Sequence, residues 1–408
     1  MNHTIALIAL SLGLSACKGE VSLNTDPAPA ATQTTPTTPA ATPTTPINTA
    51  DPGVPNAAPK LVLNADDATY YLRSISQMLV SRPLTASEND QLQREGGDAV
   101  RPIIEAWTSE PGFVDAAKYM MQQKLKASGD RDGIDFEAPG RLVAHLVANN
   151  RPWSEVITSD YCIDATGAQA DCDSGAPYRA GVLTTRAFLA GNASRFNLGR
   201  ASRLMKVFAC RAYPMEDTLQ PYLPKETLIP MFRASNAEEQ TVEEAKGAFG
   251  NGDECYSCHG QFGAHAQFFV KFDQTGMWRS DATGVQDPNG ELGRSVDGLM
   301  TSHMEDMSAK AFEGSKMFGK DAANLREAAQ TLAESRAFVP CAVRNVIEYT
   351  FGMTDSEGEE IDRELLSTVA ARATMSQTVD PTLATIIVET FTDPRVVDVV
   401  ISARGGLQ

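Results

Sequence analysis

The chain has 408 residues, a hydrophobic content of 42% and a formal net charge of −17 at pH 7. Its length favours two or three domains, and no stretch of about 18 apolar residues predicts a transmembrane helix. The excess of carboxylates argues against nucleic acid as a partner, because phosphates would be repelled, and it favours solubility and basic partners.

Residues 1–17 have the pattern of a secretory signal, in which the apolar run Ile5–Leu14 is followed by small residues. The segment Leu14-Ser15-Ala16-Cys17 resembles the lipobox of bacterial lipoproteins. That resemblance implies lipidation of Cys17, and Lys18 after it implies an outer-membrane lipoprotein facing the periplasm or the cell surface. No Lys or Arg precedes the apolar run, so an ordinary signal peptide with a chance cysteine stays open.

Residues 18–60 are rich in Pro, Thr and Ala, as in TQTTPTTPAATPTTP. Such a composition cannot bury a core and favours an extended chain. We expect a disordered tether that holds a folded body away from the membrane.

The folded body begins with signals for helices. Asn64 is a candidate N-cap, and Pro83 stops the helix that follows it. Thr85 and Glu88 then have the spacing of a capping box.

Similar helix start and stop signals continue along the chain. Gly96 and Gly97 end the second helix, Asp98 can cap a third helix through Trp107, and Pro111 opens a fourth. Further helical patterns cover Arg141–Ala148, Ser202–Ala212 and Glu238–Gly247.

Seven cysteines occur in a chain with an export signal, so disulfides are expected. Cys17 is assigned to the lipid, and two more cysteines belong to the motif described next. Of the four that remain, Cys162 and Cys172 flank a short polar loop and are expected to pair locally. By elimination Cys210 would pair with Cys341, although buried free cysteines are also common.

The strongest indication of function is the motif Cys255-Tyr256-Ser257-Cys258-His259. Two thiols at this spacing can add across the two vinyl groups of haem, and the adjacent His259 can then bind the iron as the proximal ligand. The motif therefore predicts one covalently attached haem c, in the compartment that export supplies.

Three other interpretations explain the motif less well. A zinc site needs about four ligands, and no second cysteine pair is present. A redox dithiol is typical of a βαβ setting, whereas this neighbourhood has helical and loop patterns. A plain disulfide leaves His259 without a role.

The stretch CYSCHGQFGAHAQFFVKFDQTGMWR resembles the haem module of planctomycete-type cytochrome c proteins, through the motif, Phe272-Asp273, Gly276, Trp278 and Arg279. Segments on both sides resemble that family too, so the likeness covers nearly everything after the tether. It implies a haem c fold and little about a reaction. Trp278 and Arg279 could orient the haem propionates, or could simply pack in a turn. The stretch departs from the family pattern at Gly263-Ala264-His265, where Asp-Pro-Leu-Gly is common.

The sixth iron ligand decides between a closed electron carrier and an open, reactive site. Met317 is the first candidate, since it lies in a glycine-containing loop followed by a helix from Asp321, as in small cytochromes c. Each candidate methionine could equally be core packing. The alternatives are a cluster of Met300, His303, Met304 and Met307, and then Met277 and His265.

The last part of the chain again favours helices, and Val396–Ile401 could be a strand or a final helical turn. The predicted helices are Ala322–Ser335, Cys341–Phe351, Ile361–Thr374 and Pro381–Thr390.

These patterns together predict a mostly α protein, with an N-terminal helical domain over 61–240 and a cytochrome c-like haem module with C-terminal helices over 241–408. The favoured function is an exported, lipid-anchored monohaem cytochrome that passes single electrons to redox partners with a basic docking surface. A haem enzyme with an open distal site, acting on peroxide or oxygen, and a haem-based redox sensor remain alternatives.

Overall fold

The computed structural model describes residues 60–127, 130–131, 133–193, 197–213, 261–280, 313–377 and 380–405. Most of these residues are helical, as predicted for the fold class. None of the helices within these ranges is long and apolar enough to cross a membrane. The predicted signal, Cys17, the tether up to Pro59 and the helix predicted at Glu238–Gly247 lie outside the described residues.

Helices dominate the described residues between 60 and 213. They are α1 (Ala65–Val80), α2 (Ala86–Glu95), α3 (Val100–Trp107), α4 (Pro111–Leu125), α5 (Ala138–Ala148), α6 (Glu155–Thr158), α7 (Arg186–Gly191) and α8 (Leu198–Phe208). Two short antiparallel pairs interrupt them, β1 (Asp130–Arg131) with β2 (Ile134–Asp135) and β3 (Cys162–Ile163) with β4 (Gln169–Ala170).

A short helix, α9, covers residues 261–266. The hairpin of β5 (Ser315–Met317) and β6 (Lys320–Ala322) comes next among the described elements. The remaining helices are α10 (Leu325–Ala333), α11 (Phe338–Phe351), α12 (Asp355–Glu359), α13 (Arg363–Met375), α14 (Leu383–Phe391) and α15 (Pro394–Gly405).

Several helix ends follow from local chemistry. Asn64 caps α1 by accepting a hydrogen bond from the amide of Asp67, and Thr85 with Glu88 forms the predicted capping box of α2. Gly96 ends α2 at a φ of 57°, a conformation that glycine adopts at little cost. These interactions lie within a few residues of one another, so sequence alone predicts them.

Other predictions of local structure were wrong. Asp98 does not cap α3, because it lies inside a 3₁₀ turn at Gly96–Ala99 that runs directly into the helix. The helix predicted at Ser202–Ala212 is shifted and ends before Cys210, whose φ is 52°. Val396–Ile401, left open between strand and helix, belongs to α15.

The N-terminal and C-terminal helices share one hydrophobic core, and the predicted boundary at residue 240 lies outside the described residues. The hydroxyl of Tyr71 in α1 donates to the carbonyl of Phe391 in α14 at 2.8 Å. The amide of Trp153 donates to the carbonyl of Pro381 at 2.8 Å, beside an antiparallel bridge between Pro152 and Thr382. The described residues of the two predicted domains are therefore packed together directly.

Candidate functional site

The motif residues Cys255, Cys258 and His259 lie outside the described residues, as does the whole cluster of alternative distal ligands, Met300, His303, Met304 and Met307. The description resumes at Gln261, two residues after His259, with α9. The described elements that follow the motif along the chain are α9 and the turn after it, and the hairpin contacts α9.

Helix α9 is buried throughout its length. His265 on this helix has no exposed surface, and the hydroxyl of Tyr213 lies within hydrogen-bond distance of its Nδ1. Burial lowers the pKa of His265 to about 3, so the imidazole is neutral at pH 7 and its Nδ1 can accept from the tyrosine. His265 thus lies in a core contact with Tyr213.

The hairpin with Met317 packs beside α9. Met317 has no exposed surface and lies on β5, whereas the sequence predicted a loop. The predicted start of the next helix at Asp321 was also wrong, because Lys320–Ala322 pairs with β5 and Asn324 caps α10. The ring of Phe318, next to Met317, contacts the His265 ring edge-on at 6.5 Å.

The hairpin turn is strained at one residue. Phe318 and Gly319 both have positive φ, 48° and 76°, as a two-residue turn of the type that matches strand twist requires. Glycine adopts this conformation readily, but for a bulky side chain it is an outlier that costs about 1–3 kcal/mol. Contacts of the Phe318 ring with His265 and with the guanidinium of Arg211, 5.8 Å from the ring centre, hold it there.

The segment with Trp278 and Arg279 is a tight turn organised by Asp273. One carboxylate oxygen of Asp273 accepts from the amides of Thr275 and Met277 at 2.9 and 3.0 Å, and the other accepts from Arg279 Nε at 3.2 Å. Gly276 has a φ of 79° at the apex. The turn explains the spacing of these residues, and it pairs Arg279 with a neighbouring carboxylate.

A buried arginine holds this turn through hydrogen bonds to its backbone. Arg200 on α8 has no exposed surface; its guanidinium donates to the carbonyls of Phe272 at 2.7 Å, of Leu189 at 2.8 Å and of Asp273. It also donates to the side-chain oxygen of Asn197 at 2.9 Å. Burial lowers the pKa of Arg200, and the carbonyl oxygens stabilise its charge. Nothing in the local sequence distinguishes Arg200 from a surface arginine, and the prediction missed it.

Buried hydrogen-bonding atoms near Trp278 give a test of whether this region suits a haem carboxylate. Trp278 donates its amide to the Ser174 carbonyl at 2.8 Å. Its indole Nε1 and the hydroxyl of Ser174 are buried without a hydrogen-bond partner in the described part of the chain. Lys271 lies over the Trp278 ring at 5.4 Å. Each of the two buried donors could be satisfied by an acceptor such as a carboxylate, because buried polar groups are normally hydrogen-bonded, while Lys271 already interacts with the Glu313 carboxylate.

Among the residues that the structure describes, two disulfides are present, and they join the pairs expected from the sequence. Cys162 and Cys172 are bonded at 2.03 Å between the ends of the β3–β4 hairpin region. Cys210 and Cys341 are bonded at 2.08 Å and connect the end of α8 to α11 across 131 residues. The second bridge lies close to Arg211 and Tyr213, which contact the hairpin and α9.

Within the described residues no three metal-ligating side chains of His, Cys, Asp or Glu gather into a group. No family model, no curated protein and no solved structure matches this chain. The resemblance to planctomycete-type cytochromes therefore depends on the residues quoted above.

Proposed function

We propose that this chain is an exported, lipid-anchored protein with one covalent haem c, and that it passes single electrons at the cell envelope. The observation that carries the proposal is the sequence Cys255-Tyr256-Ser257-Cys258-His259, which combines two thiols and an adjacent imidazole at the haem c spacing. The lipobox-like cysteine, Cys17, would attach the protein to the outer membrane.

In this proposal Cys255 and Cys258 hold the haem by thioether bonds and His259 supplies the proximal nitrogen. Bound haem would supply a one-electron couple between ferric and ferrous iron. Met317 remains the first candidate for the distal ligand. Its burial, and the contact of the adjacent Phe318 with α9, support a position close to the segment that follows His259.

The described surroundings suit a closed and dry redox site. Phe262, Phe268, Phe269 and Phe272 are all buried around α9 and the turn after it, and they would keep water from a bound haem. Trp278 and Ser174 offer buried donors to a propionate. The net charge of −17 would steer the protein toward a redox partner with basic side chains around its docking surface.

The test begins with optical spectra of the full chain, oxidised and reduced, from a host that attaches haem c. A haem spectrum that persists after denaturation is expected, and it should disappear in a Cys255→Ser, Cys258→Ser double variant. A properly exported chain without haem would contradict the proposal.

The distal ligand needs a matched pair of substitutions. Met317→Leu should abolish the far-red methionine–iron absorption band, whereas Met205→Leu should leave it unchanged. Met205 is an equally buried methionine on α8, and the Met-to-Leu change conserves volume at both sites. If no substitution at Met317, at Met300, His303, Met304 and Met307, or at Met277 and His265 changes the spectrum, the carrier is contradicted and an open-site enzyme is favoured.

A further inference from the structure

A small cleft lies between α4, α8 and α11, on the side of the Cys210–Cys341 disulfide. Its volume is about 40 Å³, room for roughly three water-sized spheres or one small ion. Polar and charged side chains line most of it, so it is unlike a packing void, which would be lined by apolar groups.

The cleft concentrates positive charge on an acidic protein. Among its charged side chains, five are cationic and two are carboxylates, although the chain as a whole has a net charge of −17. Cations gathered in a concave site reinforce one another and attract anions. The cations are Lys124, Arg203, Lys206, Arg211 and Arg344, and the carboxylates are Glu348 and Glu359.

The floor of the cleft is preorganised by a buried carboxylate. Glu348 is 3% exposed and forms ion pairs with Lys124 and, at 2.6 Å, with Arg344 Nε. Gly358 on α12 lies so close to this carboxylate that a Cβ there would overlap Glu348 Oε1. Lys124 and Arg344 are thus held in place, which lowers the entropic cost of binding a ligand between them.

The part of α8 that lines the cleft is also held in place by hydrogen bonds. The guanidinium of Arg203 donates to the carbonyl of Lys124 at 3.0 Å and to Asn192 Oδ1 at 3.3 Å, which ties α8 to the end of α4. Asn345 on the opposite wall is buried, and its amide nitrogen donates to the carbonyl of Val207 at 2.8 Å. Lys206, by contrast, is exposed at the rim and has room to approach a ligand.

We propose that this cleft binds a small oxyanion, a phosphate or a carboxylate. Guanidinium and ammonium groups match the oxygens of such ions with charge-assisted hydrogen bonds. The cations held by Glu348 and the exposed Lys206 would both contact it. The proposal uses no property of a bound haem, so it can be tested independently of the proposed function.

The test is calorimetric titration of the purified full chain with inorganic phosphate, and separately with succinate, at constant ionic strength. Lys206→Gln should weaken binding about tenfold, through the loss of one charge-assisted contact. Glu359→Gln should tighten binding, because it removes an exposed negative charge beside the cleft. Lys320→Gln, an exposed lysine on β6, is the matched control and should change nothing.

The two titrants distinguish phosphate from carboxylate as the preferred ligand, and binding of either one with the expected order of the variants supports the site. Binding of neither anion at millimolar concentration would overturn the proposal. Equal affinity in the Lys206→Gln, Glu359→Gln and Lys320→Gln variants would also overturn it, since the anion would then bind elsewhere.

Discussion

Two buried arginines show how differently two regions of this molecule carry a charge. Arg372 on α13 donates to Glu389 Oε2 at 3.1 Å and to Asp393 Oδ2 at 2.7 Å, so carboxylates neutralise it. Arg200, under the Trp278 turn, has neutral oxygens as its hydrogen-bond acceptors. Arg372 thus lies in a network of ion pairs, whereas Arg200 is held by carbonyl and amide oxygens and the Asp273 carboxylate acts on it only through its charge.

The C-terminal network also reaches the N-terminal helices. Arg101 on α3 donates hydrogen bonds to Glu389 Oε1 at 3.0 Å and to the Thr392 hydroxyl at 2.8 Å. Arg395 donates to Asp393 Oδ1 at 3.1 Å. Each carboxylate therefore contacts more than one cation. The network links α3 to α13, α14 and α15, and loss of Arg372 leaves the buried Glu389 and Asp393 with unmatched charge.

The largest effect is expected for Arg372→Met, which removes the central cation from Glu389 and Asp393. Breaking a buried ion pair on one side costs about 3–5 kcal/mol, and Arg101 and Arg395 should keep the loss near the lower end. Urea unfolding would measure it. The half-exposed Arg101→Gln is the milder comparison, and an equal loss in both variants would contradict the central role of Arg372.

A smaller effect is expected for Arg200→Met. The carbonyls of Leu189, Phe272 and Asp273 lose their donors, but removal of a buried cation relieves its desolvation, so the net cost should be about 2 kcal/mol. The near-ultraviolet circular dichroism of the protein should also change, because Arg200 holds the turn before Trp278.

Lys206→Met on the same helix is the control for Arg200, since surface substitutions usually change stability by less than about 0.5 kcal/mol. A loss for Arg200→Met as large as that for Arg372→Met would show that the two sites do not differ as proposed.

The Arg200→Met and Arg372→Met variants should also differ in how their stability depends on pH. Burial would raise the pKa of Asp393, but hydrogen bonds from Arg395 and Arg372 outweigh it and lower that pKa below its ordinary 3.8. A carboxyl group with a lowered pKa in the fold contributes stability above its unfolded pKa and loses it as the pH falls. The melting temperature should therefore drop below about pH 4 in the parent and in Arg200→Met, and drop less in Arg372→Met. An identical acid response in all three would rule out this network as a source of acid sensitivity.

The smallest effect is expected for Phe318→Asn in the β5–β6 turn. Asparagine tolerates the left-handed conformation better than phenylalanine, while the ring contacts with His265 and Arg211 are lost. The two changes oppose each other, so unfolding free energy should shift by less than about 1 kcal/mol. A loss above about 2 kcal/mol would mean that the ring, and not the turn, stabilises the hairpin.

Much of the local structure could be predicted, and the errors share a cause. The caps at Asn64 and Thr85 depend on neighbours three residues away, so the pattern contains all the information needed. Met317 was expected in a loop, because a three-residue strand that ends at Met317, just before the Phe318-Gly319 turn, is too short to show an alternating hydrophobic pattern. Asp98 looked like a cap, but the preceding turn continues into α3 without a break.

For the candidate site, the sequence by itself supplied the haem c motif and the local pairing expected for Cys162 and Cys172, since both depend on spacing along the chain. Only the tertiary structure decided which arginine is buried under the Trp278 turn and which tyrosine faces His265. Those contacts join residues more than 50 positions apart. Their free energy comes from burial and hydrogen bonding between packed elements, which no short window of sequence contains.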